Sequence, residues 1–157
     1  MLLINPATEK FGGFMSRYVP TGVPVAIGCI IAHLENNGIR CKLIDEELID
    51  ITPSVLREAV EGLEKPYIIG LTCLTAHVGR AYQIAKMIKT EFPDSTVVLG
   101  GLHPTSLPDE ALKTGVVDFV VRGEGEEVML HLYRSIRGGE DISNLLGVNY
   151  IQGDEII

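Results

Sequence analysis

Tyr67-Ile-Ile-Gly-Leu-Thr-Cys-Leu-Thr75 is the stretch from which the rest of this chain can be read. From Tyr67 to Cys73 it is nearly continuous in apolar residues. A strand with one wet face alternates apolar and polar positions. A run without alternation fits a strand covered on both faces, in the middle of a parallel sheet. Such a strand needs helices on either side of it in sequence, and the chain supplies them. After it, Ala81, Ile84, Ala85, Ile88 and Phe92 recur at helical spacing and share one stripe. Residues 96–99 read as the next strand and run into Gly100-Gly101. A short helix over 108–114, a strand over 116–121 and a helix over 126–137, stopped by Gly138-Gly139, follow.

The pattern is the same before Tyr67. Residues 1–5 read as a strand and 6–21 as a long loop. A helix covers 23–37 and stops at Gly38. Residues 41–45 form a strand, and the next helix opens on Thr52 as cap with Pro53 in its first turn. That helix turns Leu56, Ala59, Val60 and Leu63 inward. In the tail, Val148-Asn149-Tyr150 and Glu155-Ile156-Ile157 flank Gly153-Asp154, which predicts a hairpin. The expected fold is a flavodoxin-like, Rossmann-like α/β domain. It is a doubly wound five-stranded parallel sheet of order 2-1-3-4-5 with a C-terminal β-hairpin.

Composition narrows the function. The chain has 157 residues, enough for one domain, with 46% apolar and 22% charged residues. A net charge of −8 is the wrong sign for tracking phosphates, so nucleic acid is not an expected partner. The longest apolar run, 22–32, falls far short of the roughly 18 residues a membrane span needs, so no membrane partner is expected. Met1 leads into a strand with no basic segment before it, which reads as a cytoplasmic domain. Cys29, Cys41 and Cys73 lie 12 and 32 residues apart. No pair has C-x-x-C spacing, so neither a zinc nor an iron–sulfur site is expected. They read as three reduced, mostly buried thiols, and no metal ligand is assigned.

Open α/β sheets bind ligands outside the carboxyl ends of their strands. The informative loops are therefore 5–21, 45–50, 72–77, 100–106 and 122–126. A phosphoryl-receiver domain needs an acidic cluster after the first strand and an Asp after the third; Asn5-Pro6 and Thr72-Cys73 stand there instead. Thr8 and Gly12-Gly13 match a flavin phosphate loop poorly. Gly123-Glu124-Gly125-Glu126-Glu127-Val128 begins like a dinucleotide fingerprint, but Val128 replaces the last glycine and three carboxylates would repel a pyrophosphate. Glu124, Glu126 and Glu127 favour the positive end of the following helix, or else Glu124 or Glu126 meets a ligand amide or a neighbouring domain. Gly100-Gly101 lets a group approach the backbone closely. Thr72 and Thr75 place hydroxyls at the same edge.

Together these loops resemble a known family. Thr72-Cys73-Leu74 and Gly100-Gly101 are similar to the S-x-L and G-G strand ends of the cobalamin-binding domain of methionine synthase and the mutases. The resemblance is closer to the amino-terminal domain of cobalamin-dependent radical S-adenosylmethionine enzymes, which include methyltransferases and the anaerobic magnesium-protoporphyrin ester cyclase. The matching motifs are Asn5-Pro6, Pro20-Thr21-Gly22-Val23, Gly100-Gly101-Leu102-His103-Pro104-Thr105 and Asp118-Phe-Val-Val-Arg-Gly-Glu-Gly-Glu126.

The resemblance implies cobalamin held base-off, its nucleotide tail entering beside Gly100-Gly101. It implies a hydrogen bond to the tail from Thr72. Asn5, Pro6, Cys73, Leu74, Thr75, His103, Gly123, Glu124 and Gly125 complete the expected binding residues. None of His33, His77, His103 and His131 has an Asp two residues earlier, so the cobalt-ligating D-x-H-x-x-G motif is absent. His103 is the nearest loop histidine but follows the wrong strand for that ligand. The cysteines cannot supply the family's C-x-x-x-C-x-x-C cluster motif. The 4Fe-4S cluster and S-adenosylmethionine are therefore expected only in a radical S-adenosylmethionine barrel in cis. On this reading residues 1–157 form the cobalamin-binding domain, with 1–140 as α/β core and 146–157 as a hairpin leading to a missing catalytic domain, and the chain is not catalytic alone. The alternative is a degenerate scaffold that binds no cobalamin. A bulky side chain filling the pocket at the fourth strand would mark that case.

Overall fold

The structure is a computed structural model and describes residues 1–7, 24–139, 141–143 and 145–157. Most of the first loop, with Thr8, Gly12-Gly13 and the Pro20-Thr21-Gly22-Val23 motif, lies outside the described residues. The elements run β1 (Leu2–Asn5), α1 (Val25–Asn36), β2 (Lys42–Asp45), α2 (Pro53–Ala59) and β3 (Ile68–Thr72). A 3₁₀ turn (Thr75–His77) leads into α3 (Val78–Glu91). Then come β4 (Thr96–Gly100), α4 (Leu102–Ser106), α5 (Pro108–Lys113), β5 (Phe119–Val121), α6 (Gly125–Gly138), β6 (Val148–Gln152) and β7 (Glu155–Ile156).

Strands β1 to β5 are parallel in the order 2-1-3-4-5, as the sequence predicts. The tail hairpin does not stand apart. Strand β6 pairs antiparallel with β5, with Val121 opposite Val148, and β7 completes a seven-stranded sheet. The parallel edge that β5 would otherwise expose is thereby covered.

The two faces of the sheet explain the unbroken apolar run in β3. Ile69 and Leu71 belong to one core with Leu2, Ile4, Val97 and Leu99, packed under α2, α3 and α5. Ile68 belongs to the other, with Leu3, Val98 and Val121, under α1 and α6. Ala81, Ile84, Ala85 and Ile88 are wholly buried on α3. Thr52 caps α2, its hydroxyl accepting from Val55 N at 3.3 Å.

Three expectations need correction. Residues 102–106 are a helical turn, α4, rather than open loop. Strand β5 begins at Phe119 rather than 116, and just before it the Asp118 carboxylate accepts from Val97 N at 2.6 Å and from Lys89 Nζ. The thiols are all free but not mostly buried: Cys73 is buried, Cys41 half-buried and Cys29 exposed. Helix α1 is apolar almost all round, and only part of its surface meets the sheet. Among the described residues no helix is long and apolar enough to cross a membrane.

Candidate functional site

A cleft of about 140 Å³ opens on the α1/α6 face of the sheet at the carboxyl ends of β3, β4 and β5. Strand register builds its floor. Leu3, Gly70 and Val98 are lateral neighbours, and Thr72, Gly100 and Val121 form the next row on the same face. Two positions of this face, Gly70 and Gly100, carry no side chain. At Gly70 the space is taken by Leu3, whose Cδ2 would lie 2.7 Å from an added Cβ, so the open part of the floor lies at Gly100. Ala26, Ile27 and Ile30 of α1 form one wall, and the 123–126 turn with Met129 of α6 forms the other.

The two glycines of the pair do different things. At Gly101, φ is +108°, and a Cβ would stand 2.6 Å from the Cys73 carbonyl oxygen and 2.9 Å from its nitrogen. No side chain fits there, so Gly101 is demanded by the fold itself. A Cβ at Gly100 would find nothing nearer than Val121 O at 3.7 Å. Among the described residues no bulky side chain fills that space, which is the feature that would have marked a degenerate scaffold.

Of the expected residues, Thr72, Gly100, Gly101, Gly123, Glu124 and Gly125 meet in this cleft. Gly123, at φ +71°, donates its N–H to Thr105 Oγ at 3.1 Å, which ties the β5 loop to α4. The carboxylates of 124–127 divide. Glu124 and Glu126 line the cleft, whereas Glu127 turns to His33 Nε2 of α1 at 3.4 Å and to His131 Nε2 at 3.8 Å.

The remaining expected residues sit outside the cleft lining. Cys73 is buried on the opposite face, where burial and the Glu110 charge push its thiol up to about 11. Leu74 is exposed. Thr75 Oγ lies 3.2 Å from Nδ1 of His103, whose Nε2 lies 3.3 Å from Glu110 Oε1. Asn5 and Pro6 form a third group near the end of β2. There Asn5 Nδ2 donates to Asp45 at 2.9 Å, and Ala7 N donates to Glu46, which is paired with Arg80. Glu126, one of the two carboxylates expected to meet a ligand amide or a neighbouring domain, lines the site, and Gly70, Ala26, Ile30 and Met129 line it without having been predicted. An isolated Gly inside a buried strand was the available signal for Gly70. The α1 residues gave none, since that helix has no polar face to orient it.

A glycine-floored cleft at the carboxyl edge of a doubly wound sheet defines a small-molecule or cofactor-binding α/β domain. The family model for the B12 binding domain matches residues 14–133, and the chain belongs to that family. It is 30% identical to the uncharacterized methyltransferase PH0819 of Pyrococcus horikoshii, over 99% of this chain and 33% of that protein. It is also 30% identical to the anaerobic magnesium-protoporphyrin IX monomethyl ester cyclase of Rubrivivax gelatinosus, over 96% of this chain and 27% of that protein. The chain thus spans a third or less of the length of these relatives. Among solved structures it resembles the radical S-adenosylmethionine methyltransferase TsrM of Kitasatospora setae with cobalamin and a [4Fe-4S] cluster bound. The TM-score is 0.79 at 22% identity, over 99% of this chain and 27% of that one. The cobalamin-dependent radical enzyme OxsB with aqua-cobalamin and S-adenosylmethionine bound gives 0.82 at 16% identity, over 99% of this chain and 21% of that one. These two likenesses show the fold.

The donor set and space of the cleft fit an organic cofactor. Its floor is open at Gly100, its α1 wall is apolar, and Thr72, Glu124 and Glu126 supply polar atoms at its edge.

Proposed function

We propose that this chain binds cobalamin base-off and presents it to a radical S-adenosylmethionine domain of a larger methyltransferase or cyclase. The open floor at Gly100 carries the reading. A space that the fold does not need, beside a glycine that it does, is shaped for a ligand.

Thr72, Gly100, Gly101 and the turn from Gly123 to Gly125 would hold the tail, with Glu124 accepting hydrogen bonds at its mouth. When bound, cobalamin supplies a cobalt centre able to carry a methyl group. The protein's part is exclusion and placement. Ile27, Ile30 and Met129 keep water from the tail, and Thr72 orients it with one hydrogen bond. No D-x-H-x-x-G histidine is available to the lower face of cobalt, which supports a cofactor without histidine ligation. The spacing of Cys29, Cys41 and Cys73 supports an iron–sulfur cluster and S-adenosylmethionine housed in another domain in cis. Residues 1–140 then act as the binding core, and the hairpin over 146–157 leads toward that domain.

Electron paramagnetic resonance of the protein loaded with cob(II)alamin tests the ligation. A signal without nitrogen superhyperfine splitting is expected. Splitting that disappears in H103A would make His103 a ligand and overturn the assignment.

A further inference from the structure

A second polar group lies just beyond the cleft lining, where β3 gives way to the 3₁₀ turn. His103 is only 5% exposed, yet both its ring nitrogens have partners. Nδ1 is 3.2 Å from Thr75 Oγ, and Nε2 is 3.3 Å from Glu110 Oε1. The Tyr82 hydroxyl donates to the same Glu110 oxygen at 3.1 Å. Glu110 is half exposed and Thr75 is exposed.

Donor and acceptor chemistry fixes the direction of this chain. An ionised carboxylate only accepts, so the neutral imidazole carries its proton on Nε2 and donates it to Glu110. Its Nδ1 is then an acceptor, and the partner within reach is the Thr75 hydroxyl, which must donate inward. Having spent its one proton, Thr75 offers the outside only lone pairs. Without the relay, a threonine hydroxyl would rotate to donate or accept as its partner required.

We propose that Thr75 is a specificity-determining residue, set by His103 and Glu110 as positioning residues, that accepts an N–H from a primary carboxamide on the ligand's periphery and disfavours a carboxylate there. This rests on the cobalamin-binding reading, since a corrinoid lying over the strand ends would bring its peripheral carboxamides to this edge. Thr75 is exposed at the carboxyl end of β3, the edge at which open α/β sheets bind ligands. A carboxylate at the same point would meet an acceptor with no proton to give and the negative charge of Glu110 behind it.

The test compares hydroxocobalamin with its mono-acid derivatives, each with one peripheral carboxamide hydrolysed to a carboxylate, by titration at pH 8.5. At least one mono-acid is expected to bind wild-type protein tenfold or more weakly than the parent. In T75V, verified as folded by circular dichroism, the ratio should fall below threefold, and T75S should restore it. Equal binding of all derivatives to wild type, or a full ratio kept in T75V, would overturn the inference while leaving cobalamin binding intact. Binding of no corrinoid at all would remove both. A readout free of ligand is the ¹⁵N spectrum of the His103 imidazole at pH 8.5. The proton is expected on Nε2, with the Nδ1 resonance moving in T75V and returning in T75S. A proton on Nδ1 would overturn the relay.

Discussion

Thr72 and Gly100 are lateral neighbours on the parallel strands β3 and β4, and both face the cleft. One places a hydroxyl at the mouth and the other leaves the space beside it empty. The arrangement depends on register alone. A slip of one residue would turn both away from the ligand and into the opposite core.

The two adjacent glycines are expected to separate fold from function. G101A adds a Cβ 2.6 Å from a backbone oxygen at a φ of +108°. It should cost at least about 2 kcal/mol and lower Tm by roughly 4–8 °C. G100A meets nothing closer than 3.7 Å. Its Tm should stay within about 2 °C of wild type, while corrinoid affinity falls tenfold or more. Paired thermal melts and binding titrations check this.

T72V removes the hydroxyl and keeps the shape. Loss of one hydrogen bond worth about 0.5–1.5 kcal/mol predicts roughly two- to tenfold weaker corrinoid binding. Little change in urea midpoint should accompany it, because Thr72 faces the cleft rather than a core partner. Recovery of affinity in T72S would assign the effect to the hydroxyl.

The three thiols should react in the order of their surroundings. Cys29 is exposed on α1, Cys41 is half-buried, and Cys73 is buried with its thiol pushed up to about 11. At pH 8 only about one Cys73 in a thousand would be thiolate. Alkylation of native protein followed by peptide mass mapping should therefore label Cys29 first and leave Cys73 untouched until urea is added. Early labelling of Cys73 would contradict its placement.

Burial lowers the affinity of His77 for a proton below the ordinary value of 6.5, and its Nδ1 has no hydrogen-bond partner among the described residues. The unfolded chain takes up that proton near pH 6.5, whereas the folded chain does so only at lower pH. Between those values the unfolded state binds more protons, so stability should fall as pH falls below 6.5. Urea melts from pH 7.5 to 5.5 should show this decline, and H77Q should flatten it relative to wild type.

The order of the parallel strands could be read from the sequence because local signals agree. The β3 run has no polar side, the α3 stripe has a clean period, and Gly138-Gly139 ends α6 in the left-handed conformation expected of a helix stop. Gly100-Gly101 was legible as a site because paired glycines at a strand end have few other uses. What could not be read depends on long-range pairing. Asn5 meets Asp45 forty residues away, and Glu46 holds Ala7 and Arg80. The inward face of α1 is chosen by contact with Gly125, whose absent Cβ makes room for Ile30. The burial of His103 depends on a helical turn in a segment that read as loop. The hairpin was visible, but its pairing to β5 is a tertiary choice.

The most direct test of cobalamin binding is retention of hydroxocobalamin through gel filtration by wild-type protein and by G100L, each verified as folded by circular dichroism. About one corrinoid retained per wild-type chain, with none on G100L, is the predicted result. A folded wild-type chain that emerges colourless, or a G100L chain that retains as much corrinoid as wild type, would contradict the account.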